Sequence, residues 1–89
     1  MITSIILMNI KRNNVNKVAD LLVEMPEISE VYSVSGKYDL VAIIRVKDND
    51  DLASLVTNKL SKFEDIEKTD TMLAFKAYSR HDLDSMFSL

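Results

Sequence analysis

Residues 3–10 are rich in isoleucine with little alternation, and the polar "KRNN" ends the run. Such a segment predicts a strand packed on both faces. The period then changes. Val15, Val18, Ala19, Leu21, Leu22 and Met25 recur at helical spacing, with Asn14 placed as N-cap. Pro26 stops this helix, because its ring and missing N–H cannot continue the ladder. Two alternating runs follow at 28–35 and 38–46, and the short Gly36–Lys37 link predicts a hairpin. In the second run Leu40, Ala42, Ile44 and Val46 oppose Val41 and Ile43. Apolar side chains on both faces predict a central strand, or one whose outer face meets another subunit. "KDNDD" sets acids where a helix N-terminus favours them, and Leu52, Leu55, Val56, Leu60 and Phe63 predict a second amphipathic helix. A last strand is predicted over 68–78. In the tail, Ser79 and Asp82 form a weak capping box, with Leu83, Met86 and Phe87 at helical spacing. A helix that short needs docking on the domain or a partner subunit.

The order β-α-β-β-α-β defines an α+β, ferredoxin-like sandwich, a four-stranded antiparallel sheet with two helices on one face. It occupies residues 1–78, followed by a short tail at 79–89. The helices cover one sheet face while the strands carry apolar residues on both. A second copy is therefore expected on the open face, making the protein a homo-oligomer.

Composition narrows the chemistry. A chain of 89 residues makes one domain, and its net charge of −3 provides no basic surface for phosphates. Direct DNA binding is not expected. The absence of cysteine excludes disulfides, thiolate catalysis and cysteine-based zinc sites. The N-terminal run carries its charges after the apolar stretch, the reverse of a signal peptide, and is too short for a membrane span. A soluble, cytoplasmic protein without membrane contact is the expectation. His81 is the one histidine, and with Asp82 and Asp84 it makes a poor metal site. The link after the first strand has Lys11 and Arg12 but no glycine frame for a phosphate. "KDNDD" lacks the later glycine and glutamate of a calcium loop. No catalytic set, metal or cofactor is predicted, so an enzyme is not expected.

One stretch remains, "VYSVSGKYDL", which holds the only glycine in the chain. Gly36 supplies the positive φ of a tight turn, and Tyr38 and Asp39 would then be ordinary strand residues. Two features point instead to a small-molecule site. Asp39 enters an apolar strand, where an unpaired carboxylate is costly if buried. "KTDT" adds Thr69, Asp70 and Thr71 near the start of another strand.

Together, "VYSVSGKYDL" and "IEKTDTMLAF" resemble the C-terminal effector domain of the Lrp/AsnC regulators, also called the regulation-of-amino-acid-metabolism (RAM) domain. Val34, Ser35, Gly36, Tyr38, Asp39, Leu40, Ile66, Thr69 and Thr71 stand at the family's pattern positions. Full-length regulators carry an N-terminal helix-turn-helix domain. This sequence begins almost at the first strand of the effector domain and resembles its stand-alone form or a fragment. The resemblance implies dimers joined through their open sheet faces and rings of dimers, commonly octamers. It also implies an amino acid bound near the hairpin by Ser35, Gly36, Tyr38 and Asp39, with Thr69 and Thr71. Transcription would then be affected through a full-length Lrp/AsnC partner. Two alternatives stay open. One is a dimeric α/β-barrel enzyme, for which the strands offer only Arg45 near an end. The other is an oligomerisation module without a ligand.

Overall fold

The computed structural model describes residues 1–78 and Arg80. The elements are β1 (Ile2–Ile10), α1 (Val15–Val23), β2 (Ile28–Ser33), β3 (Leu40–Val46), α2 (Asn49–Ser54) and β4 (Ile66–Ala74). The strands form one sheet in the order β2-β3-β1-β4, and every neighbouring pair is antiparallel. The fold is the ferredoxin-like sandwich expected from the element order.

β1 alternates more cleanly than its composition suggests. Ser4, Ile6, Met8 and Ile10 are buried against the helices, whereas Ile5 and Leu7 are half-buried on the other face. Leu40, Ala42, Ile44 and Val46 of β3 join them, and Val18, Leu22, Leu55 and Leu60 close the core from the helical side. Ser4 is the one buried polar residue in this layer among the described residues. Its hydroxyl donates to the Met72 carbonyl at 2.7 Å, so the burial leaves that donor satisfied.

Several boundaries differ from the sequence-based expectation. Asn14 does precede α1, but its side chain makes no capping bond; its carbonyl accepts from the Val18 N–H at 3.0 Å. The acids of "KDNDD" behave as expected, and the Asp48 carboxylate caps the Asp51 N–H at 2.9 Å. The second helix is not uniform. α2 runs on into a π turn, Leu55–Lys59, and a 3-10 turn, Leu60–Lys62. In a regular α-helix, side chains five residues apart point about 140° away from each other. The wider π turn brings Leu55 and Leu60 to one side, and both are buried.

β4 starts two residues earlier than predicted and stops at Ala74 rather than continuing to Tyr78. The last β1–β4 pair is Thr3↔Ala74, one residue short of the start of β1 at Ile2. Phe75 and Tyr78 lie beyond it and are almost fully exposed. The predicted C-terminal helix, and with it His81, Asp82 and Asp84, weighed above as a poor metal set, lie outside the described residues.

The sheet's second face is open. Ile5 of β1 pairs with Ile43 of β3 on one side and Met72 of β4 on the other, while Leu7 pairs with Val41 and Asp70. Tyr32 of β2 continues this layer opposite Val41. A continuous apolar stripe thus crosses all four strands, with Met72 and Tyr32 exposed at either side.

Candidate functional site

The connection between β2 and β3 is longer than the two-residue link predicted, because regular pairing stops at Ser33↔Leu40. A bond from the Val34 N–H to the Asp39 carbonyl at 3.0 Å closes the loop, and the Asp39 N–H donates to the Met8 carbonyl at 2.9 Å. The next N–H of β1 that faces β3 belongs to Ile10. Its acceptor is the Asp39 carboxylate, Oδ2, at 2.8 Å. A side chain thus completes the β1–β3 ladder where the backbone turns away. This explains a carboxylate at the head of an apolar strand: it is paired.

Two further side chains tie the loop across β1. The Asn9 amide donates from Nδ2 to the Lys37 carbonyl at 2.6 Å. The Tyr38 hydroxyl donates to the Asp70 carboxylate on β4. That hydrogen bond is the main reason the Tyr38 pKa is raised above its usual 10.0, with burial and the Asp70 charge adding to it. Ionising Tyr38 would remove the donated proton and set a phenolate against a carboxylate.

The loop tip itself is bare. Ser35, Gly36 and Lys37 are exposed, and their N–H groups take part in none of the backbone bonds that hold the loop. Gly36 has φ +110, which side-chain-bearing residues rarely adopt, yet apart from Gly36 and its two chain neighbours no residue comes within 4 Å of where its Cβ would stand. Within one chain, glycine is needed here for the turn and not for close approach.

The two threonines implied by the resemblance do not join this cluster. Thr69 and Thr71 pair with Met8 and Ile6 and therefore share the helix-side face, whereas Asp70 pairs with Leu7 on the open face. Thr69 lines a separate cleft of about 170 Å³ with Val56, Leu60 and Phe63. The structure thus brings together Asn9, Tyr38, Asp39 and Asp70. Asp70 is visible in the sequence as a polar residue in "KTDT", but its face follows from the β1–β4 register. Nothing in the sequence marks Asn9, a polar residue at a strand end.

Among the described residues, no group of three or more His, Cys, Asp or Glu could hold a metal ion. No helix among them is long and apolar enough to cross a membrane.

The fold alone does not assign a function, since ferredoxin-like sandwiches serve many. The family model of the Lrp/AsnC ligand binding domain matches residues 3–83, and the chain belongs to that family. The HTH-type transcriptional regulator FL11 of Pyrococcus furiosus is 36% identical over 77 residues, covering 86% of this chain and 50% of FL11. The chain thus spans about half the length of such curated relatives. The crystal structure of TTHA0845 from Thermus thermophilus is 44% identical with a TM-score of 0.83, covering 90% of this chain and all of that one. The transcriptional regulator NMB0573 of Neisseria meningitidis, solved as an L-Met complex, shares the fold with a TM-score of 0.80 at 14% identity. That alignment covers 88% of this chain and 52% of the regulator. The relatives named by function are transcriptional regulators and not enzymes.

Proposed function

We propose that this chain is an amino-acid-binding regulatory and oligomerisation module of the cytoplasm. It acts on transcription through a full-length Lrp/AsnC regulator, with no DNA contacts of its own. The observation that carries this reading is the loop between β2 and β3: Ser35, Gly36 and Lys37 are exposed, their N–H groups take no part in its backbone bonds, and Tyr38, Asp39 and Asp70 stand at its base. Free backbone N–H groups at a turn suit an α-carboxylate, and a nearby carboxylate suits an α-ammonium. The L-Met complex of the Neisseria regulator supports the ligand class. Ser35, Gly36, Tyr38 and Asp39 make up the ligand-binding loop of one copy. Thr69 and Thr71, on the other face of the edge strand, meet a ligand held by a neighbouring copy. The open apolar face packs on a second chain, and dimers assemble into a ring such as an octamer.

Calorimetric titration with each of the twenty amino acids tests this function. At least one should give a saturable heat at one molecule per chain. No heat from any of them would leave the oligomerisation module without a ligand as the better description.

A further inference from the structure

The ammonium of such a ligand has two carboxylates to choose from, and they are not equivalent. Asp39 has committed Oδ2 to the Ile10 N–H, a bond the sheet needs. Asp70 is half-buried on the open face, opposite Leu7 and one position from Met72 on that face. Among the described residues, no lysine or arginine lies within 4.0 Å of its carboxylate. Among the described residues its hydrogen-bond donor is the Tyr38 hydroxyl, a neutral group. A half-buried carboxylate with no cation among the described residues is available to a charged donor from a ligand.

Tyr38 adds an acceptor beside that carboxylate. Its hydroxyl has one proton, and that proton is committed to Asp70. The oxygen can therefore only accept, and its polarisation by the carboxylate makes it a better acceptor. An ammonium carries three donors and no acceptor, so it matches a carboxylate beside an acceptor-only hydroxyl. We infer that Asp70, with the Tyr38 oxygen beside it, binds the α-ammonium of the ligand, while Asp39 holds the loop in place. This rests on the amino-acid reading above and assigns the charge recognition within it to a residue of the edge strand.

Asp70→Asn separates the charge from the architecture, because the amide oxygen still accepts from Tyr38. The probes are the twenty amino acids and, for the tightest binder, the carboxylic acid that lacks only its α-amino group. Asp70→Asn should weaken the amino acid about 10- to 100-fold. The same variant should bind the deaminated acid as wild type does, within about twofold. Tyr38→Phe should fall between wild type and Asp70→Asn for the amino acid. Unchanged affinity in Asp70→Asn overturns the assignment, as does an equal loss for both probes, which would make Asp70 a structural residue. A wild type that binds an amino acid in either case leaves the proposed function standing. A wild type that binds none of the twenty overturns the function and the assignment together.

Discussion

Asp39→Ala should destabilise the fold by about 1–3 kcal/mol, the cost of leaving a buried backbone donor without its acceptor. Ile10 is buried, and its N–H points at the place where the β1–β3 ladder would continue. Removing the carboxylate strands that N–H where the sheet provides no other carbonyl from β3. Asp39→Asn retains an oxygen at the same position and should cost much less. Urea denaturation of the three proteins at one fixed concentration measures the difference, since an oligomer's apparent stability depends on concentration. An alanine variant as stable as wild type would mean that the Asp39–Ile10 bond contributes nothing. The carboxylate would then be free to serve a ligand directly. If the loss is seen, weak ligand binding by Asp39→Ala says little about contact, because the loop that presents Gly36 would itself have loosened.

The second large effect concerns assembly. Ile5 lies at the middle of the open face, paired with Ile43 and Met72, and is only half-buried within one chain. Ile5→Glu should therefore be tolerated by the monomer, where the introduced carboxylate can reach water. In a face-to-face dimer the same carboxylate would be sealed among apolar side chains, once in each copy. An uncompensated buried charge costs about 3–5 kcal/mol, enough to separate the chains at micromolar concentration. Light scattering should give wild type at least twice the chain mass of 10.1 kDa, and Ile5→Glu a smaller mass than wild type at the same concentration. A wild type that stays at one chain mass would contradict the assembly.

Much of this is legible in the sequence because it depends on period. The helical spacing of Val18 and Leu22 and the alternation of Leu40, Ala42 and Ile44 report one buried face each, and both faces are where the spacing puts them. The open face is legible too, from Val41 and Ile43 alternating with that core. Register is a different matter. Whether Asp70 or Thr69 faces Tyr38 depends on which β4 residue pairs with Leu7, and local composition carries no such information. The hairpin is longer than its sequence suggests for a related reason. Tyr38 and Asp39 look like strand residues by alternation, but their side chains are drawn off to β4 and β1. The Asp48 cap is readable because a cap acts within one turn, whereas the π turn at Leu55–Lys59 arises from the tertiary need to bury both Leu55 and Leu60.

The single glycine gives the most direct measurement. Gly36 is the only glycine in the chain, so its backbone amide is a unique reporter in a nitrogen-15 correlation spectrum of glycine-labelled protein. As the tightest-binding amino acid is added to saturation, this signal should move in step with the calorimetric isotherm, because the ligand carboxylate sits at the loop tip. A Gly36 signal that stays in place while the titration shows full occupancy would put the ligand elsewhere and contradict the account.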